Sequence, residues 1–193
     1  MKLLLSSCDF GHPESAEFIY SHLEKPISDC RVLFFPNEKA SPEKIHGGKY
    51  ETRLSAFGFR REHITVADYF SSVTYMDSVF DIVYISGGNT FGTMKRIRDA
   101  GFDKTILEQV KNGAVYIGGS AGAHIASADI SHVLRYDKDS FGLTDFRGLA
   151  LCHGILICHF SEEREKDFDE LNALGRYPVT ALKDGESIAV GFR

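Results

Sequence analysis

The 193-residue sequence is short of cysteine, of basic runs and of long apolar segments. Its four cysteines, Cys8, Cys30, Cys152 and Cys158, form neither a CxxC pair nor a disulfide-dense framework. Reduced thiols and a cytoplasmic location are therefore expected. The adjacent pairs Cys152-His153 and Cys158-His159 match no common zinc spacing, so no metal is expected. Lysine and arginine (22 together) are outnumbered by 27 acidic residues, for a net charge of −5, and they form no long run. That balance excludes a nucleic-acid or anionic-membrane surface and leaves small molecules or peptides as partners. The opening Met1-Lys2-Leu3-Leu4-Leu5-Ser6-Ser7-Cys8 loosely imitates a lipoprotein signal, but its three leucines fall short of the roughly 7–15 apolar residues an export segment needs. No stretch is long and apolar enough to span a bilayer. Linker-like shifts, repeats and low-complexity segments are absent too, so residues 1–193 are read as one domain.

What is present is a series of short, continuous apolar runs alternating with amphipathic segments. Leu3–Leu5, Val32–Phe35, Ile64–Val66, Ile82–Ile85, the run at Val115 and Ile155–Cys158 read as strands, with Ile188–Val190 near the end. Helices are expected over the spacing Ala16, Ile19, Tyr20, Leu23, from Pro42 toward Phe57 with an interruption at Gly47-Gly48, over Phe91–Ala100 and over Asp103–Asn112. Apolar strands alternating with helices imply an α/β, three-layer sandwich with a mostly parallel sheet. Ligands of such sheets bind at the carboxyl ends of the strands.

The stretch Ala114-Val115-Tyr116-Ile117-Gly118-Gly119-Ser120-Ala121-Gly122-Ala123-His124 organises the rest. Its Gly118-x-Ser120-x-Gly122 pattern reads as a nucleophile elbow, a sharp strand-to-helix turn that lifts a serine hydroxyl above the sheet edge. A serine needs a base, and histidine suits the task. Of eight histidines, His12, His22, His46, His63 and His132 are expected to be ordinary exposed or partly packed residues. His124 follows the elbow on its helix and should point away from the hydroxyl. His159, at the end of the Ile155 strand, is the expected base. For the acidic group that fixes the imidazole tautomer, Asp137 and Glu186 both remain open. Glu186 is favoured because its turn is tied to a strand. Oxyanion donors are expected from a glycine N–H of Gly87-Gly88, in the turn Ser86-Gly87-Gly88-Asn89-Thr90, and from the N–H of Ala121.

Together, Ser86–Phe91, the block Gly113–Ala123 and His159-Phe160 resemble the peptidase E family of aspartyl dipeptidases, with cyanophycinases more distant. The resemblance spans most of the chain. It implies a fold like that of class I glutamine amidotransferases, a serine nucleophile at Ser120, a base at His159, oxyanion donors at Gly88 and Ala121, and no cofactor. It attaches the third catalytic role to positions resembling Asp137 or Glu186. Where the family elbow carries tryptophan this chain has Gly119, and where it carries asparagine this chain has His124. Arg164 resembles an arginine that meets a substrate carboxylate. It lies only five residues past His159, however, among Glu162, Glu163 and Glu165. Cleavage of short peptides with weak or no preference for amino-terminal Asp is therefore expected. An α/β-hydrolase esterase and a non-catalytic ligand-binding module are the rival readings. The oligomeric state, monomer or homodimer, stays open.

Overall fold

The computed structural model describes residues 1–192. In chain order its strands and α-helices are β1 (Lys2–Ser6), α1 (Pro13–His22), β2 (Val32–Phe35), α2 (Pro42–His46), α3 (Lys49–Ala56), β3 (Ile64–Val66), β4 (Ile82–Ile85), α4 (Thr90–Asp99), α5 (Phe102–Lys111), β5 (Val115–Gly119), α6 (Ala121–Ala126), β6 (Ile155–Cys158), α7 (Glu165–Leu174), β7 (Val179–Leu182) and β8 (Ser187–Val190). The helix boundaries follow local chemistry. Ser41 accepts from the N–H of Lys44 and Pro42 occupies the first turn, which starts α2. Gly48, at φ +74°, then breaks the backbone and restarts it as α3.

Six strands form one sheet in the order β3-β2-β4-β5-β1-β8. All neighbours run parallel except β8, which pairs antiparallel with β1. The inner strands β2 and β4 are wholly apolar and buried because both faces are covered, whereas the edge strands β3 and β8 are half-buried. Leu3, Leu5, Leu33, Phe35, Val83 and Ile85 pack toward Phe91, Met94, Phe102 and Ile106 of α4 and α5. The alternate residues Leu4, Val32, Phe34, Ile82 and Tyr84 pack toward Ile19, Ile45 and Leu54 of α1, α2 and α3. This is the expected three-layer α/β arrangement with a mostly parallel sheet.

Two features depart from the sequence reading. The Ile155 strand, β6, does not join the main sheet but pairs in parallel with β7, a strand the sequence reading left unassigned. One face of this small sheet sends Leu156, Cys158 and Leu182 into the main core, and the other packs Ile155 and Ile157 against Leu171 of α7. Its carboxyl end still reaches the carboxyl ends of β1 and β5. Among the described residues, no helix is long and apolar enough to cross a membrane.

Candidate active site

The turn between β5 and α6 places Ser120 at φ +47°, ψ −107°, a conformation that L-residues rarely adopt. Packing imposes it. A side chain at Gly118 would come within 2.7 Å of the backbone of Gly122, and one at Gly122 would run into the carbonyl of Ile85 on β4. The flanking glycines are thus required for β4, β5 and α6 to approach so closely. Gly119 has a different constraint, because a side chain there would overlap the carboxyl of Asp9. Asp9 is buried at φ +44°, accepts from the N–H of Gly11, and has its pKa raised chiefly by burial. The space that tryptophan would need at this position is occupied by that carboxyl, which accounts for the departure from the family pattern.

His159 directly follows β6 and, at φ +54°, joins Ser120 and Asp9 as a non-glycine residue in the left-handed region. Its Nε2 lies 2.9 Å from Ser120 Oγ. Its Nδ1 lies 2.6 Å from Asp184 Oδ1, in the β7–β8 turn. Two residues after β1 help hold this pair. Ser7, fully buried, accepts from the N–H of His159 at 2.8 Å and donates to Asp184 Oδ1 at 3.1 Å. Cys8 donates its thiol to the same oxygen at 3.3 Å. The bond from His159 is the largest influence lowering the pKa of Asp184. An anionic Oδ1 requires Nδ1 to carry the ring proton, leaving the Nε2 lone pair for the serine hydroxyl.

The structure brings Ser120 and His159 together and supplies Asp184 as the carboxylate on the imidazole, in place of both acids named from the sequence. Glu186 lies on the same turn, but its carboxylate accepts from the N–H of Lys183 at 2.7 Å. Only its main chain reaches the site, its carbonyl accepting from the N–H of Ser7. Asp137 accepts from the N–H of Thr90 at 2.9 Å and from Asn89 Nδ2 at 2.8 Å, holding the amino end of α4. Neither acid meets His159.

A cavity of about 200 Å³ opens beside Ser120. Gly88, His124, Tyr136, Asp137, His159 and Arg164 are among the residues lining it. Gly88, at φ +156°, has no room for a side chain beside Asn37 and Glu38. The two amides after it are committed to Glu38 and Asp137, while Ala121, as the first residue of α6, has an N–H without an intrahelical acceptor. Arg164 donates to the carbonyl of Cys158 and lies over the ring of Tyr136, 4.4 Å from its centroid. Among the described residues no carboxylate lies within ion-pair distance of it. The neighbouring glutamates therefore leave its charge uncompensated, contrary to the expectation from sequence.

His124 and His132 form a buried pair that the sequence reading missed for His132, their rings edge to face at 5.8 Å. His124 Nε2 accepts from the N–H of Cys158 and its Nδ1 faces Thr90 Oγ1 at 3.2 Å, while His132 Nε2 donates to the carbonyl of Leu156 at 2.7 Å. Burial holds His124 well below its ordinary value of 6.5 and also lowers His132. The unfolded chain therefore takes up protons that the folded one refuses. Stability should be level above pH 7 and fall as pH drops below about 6.5, by about 1 kcal/mol between roughly pH 7.5 and 5.5 for each imidazole that stays neutral. Urea unfolding midpoints at the two pH values test this, and His124→Asn should shrink the difference.

The model of "Peptidase family S51" matches residues 2–191. A Listeria monocytogenes protein, named only as an uncharacterized peptidase, is 28% identical over 181 residues, spanning 89% of this chain and 87% of its own. Peptidase E of Salmonella typhi is 32% identical over 118 residues, 57% of this chain and 52% of that one. A Listeria monocytogenes crystal structure described as a candidate peptidase E superposes with a TM-score of 0.71 at 21% identity, covering 100% of this chain and 98% of that one. That likeness carries the α/β fold. The family match over almost the whole chain makes this protein a peptidase of family S51.

Proposed function

We propose that this chain is a serine-type peptidase that cleaves short peptides by acyl transfer through Ser120. One observation carries the reading: at a strained strand-to-helix turn, Ser120 Oγ is 2.9 Å from His159 Nε2 while His159 Nδ1 is 2.6 Å from Asp184. In the mechanism, Ser120 attacks the substrate carbonyl as His159 takes its proton, and the imidazolium that forms faces Asp184. The N–H groups of Gly88 and Ala121 hold the oxyanion. His159 then protonates the leaving amine, and water releases the acid by the reverse sequence. Labelling with a fluorophosphonate, with the adduct located at Ser120, tests the nucleophile. A dipeptide panel set against p-nitrophenyl acetate tests peptidase against esterase.

The cavity supports a preference on the acyl side. Its volume suits one residue rather than an extended chain, and it presents Arg164, with no carboxylate partner among the described residues, alongside the acidic Asp137. An acidic residue with a free ammonium offers the complementary pair of charges. A charge-assisted bond to the guanidinium contributes roughly 1.5–3 kcal/mol, or about 10- to 150-fold. Asp-Leu should therefore exceed Asn-Leu in kcat/KM by about that factor, and Arg164→Ala should erase the difference. Equal rates on both dipeptides in the parent enzyme would return the reading to the unselective cleavage expected from sequence.

A further inference from the structure

Three donor atoms of different chemistry converge on the Asp184 side of His159. Cys8 Sγ, His159 Nδ1 and Asp184 Oδ1 all lie within 4.8 Å of one another. They come from the segment after β1, the end of β6 and the β7–β8 turn, so no spacing in the sequence announces them. Thiolate, imidazole and carboxylate together make a donor set that suits zinc and its spectroscopic substitute cobalt(II). In a tetrahedral site with metal–ligand distances of about 2.0–2.3 Å, the ligand atoms sit roughly 3.3–3.7 Å apart. Cys8 Sγ and Asp184 Oδ1 are already 3.3 Å apart. The 2.6 Å between Nδ1 and Oδ1 must widen by roughly 0.7 Å, which a rotation of the Asp184 side chain, 63% exposed, provides. Ser7 Oγ, 3.3 Å from Nδ1, or a water can complete the shell. Cys8 is only half-buried and the His159 side chain is 41% exposed, so an ion can enter from solvent.

We propose that Cys8, His159 and Asp184 form an inhibitory site for a divalent ion of the zinc class. Binding releases the thiol proton of Cys8 to solvent. It also places the metal on the Nδ1 lone pair, so the single proton of the neutral ring moves to Nε2. Nε2 then meets Ser120 as an N–H donor and can no longer take the hydroxyl proton. The metal also takes Asp184 away from the imidazole. Binding itself does not depend on what the enzyme cleaves, whereas the inhibition rests on the role proposed above for His159.

Titration with cobalt(II) tests binding without turnover. A thiolate-to-cobalt charge-transfer band in the near ultraviolet is expected in the parent protein and in Ser120→Ala. It should be absent in Cys8→Ala, and affinity should weaken by at least about tenfold in Asp184→Ala. Absence of the band from the parent protein, its persistence in Cys8→Ala, or unchanged affinity in Asp184→Ala would overturn the site. In parallel, zinc should inhibit turnover reversibly by EDTA, and Cys8→Ala, normalised to its own metal-free rate, should need at least about tenfold more zinc. A Cys8-dependent cobalt band with turnover insensitive to zinc would overturn the inhibitory role. If the protein cleaves no peptide at all, the cobalt result still decides the site, while the proposed function fails and the inhibitory role fails with it.

Discussion

Ser120→Ala is expected to abolish peptide turnover, with kcat falling by about 10⁶, the scale on which triad enzymes lose rate when the serine is removed. The Oγ reaches His159 and caps no helix end, so its loss removes the nucleophile and little else. The strain at φ +47° arises from the Cβ that alanine shares with serine, so the melting midpoint should barely move. Ser120→Gly separates the two effects. It should be equally inactive yet more stable by about 1 kcal/mol, because glycine adopts this conformation without penalty. Kinetics on a dipeptide substrate with thermal unfolding of all three proteins make the check. Retained turnover in Ser120→Ala, or a fluorophosphonate adduct on another serine, would remove Ser120 from the mechanism.

How much of this was legible in sequence depends on how far apart the determinants lie. The strands β1, β2, β4, β5 and β6 are continuous apolar runs because burial on both faces leaves its mark on every residue. The turn at Ser120 was legible because close backbone approach leaves glycine in the sequence: Gly118 records a contact with Gly122 four residues on, and Gly122 one with Ile85 on β4. Strand β7 was not, since Val179-Thr180-Ala181-Leu182 is mostly half-buried and takes its extended form from pairing with β6. Arg164 shows the limit most clearly. Read locally, it sits among three glutamates. Folded, its guanidinium is held by the Tyr136 ring and the Cys158 carbonyl, whose positions depend on the packing of β6 and its neighbours. Cys8 carried no signal at all, because its partners lie 151 and 176 residues away.

The choice among the acids is the remaining test with a large effect. Asp184, Gly185 and Glu186 share one tight turn, and Gly185 at φ +89° sends the two carboxylates in different directions. One meets His159 and the other folds back on Lys183. Asp184→Asn should lower kcat by roughly 10²–10⁴, the upper figure being the cost of a wrong imidazole tautomer at a buried triad aspartate. The lower figure is the nearer one here. Asp184 is largely exposed, so water screens part of the stabilisation that its charge gives the imidazolium. In addition, an asparagine carbonyl could still accept from Ser7, Cys8 and Nδ1–H. Glu186→Gln keeps an oxygen for the N–H of Lys183 and should leave kcat within about tenfold. Asp137→Asn should act on KM more than on kcat, since Asp137 lines the cavity but does not touch the imidazole. Parallel kinetics on the three variants separate these outcomes. A kcat loss in Glu186→Gln or Asp137→Asn exceeding that in Asp184→Asn would mean that the imidazole is oriented during turnover by a carboxylate other than the one beside it in this structure.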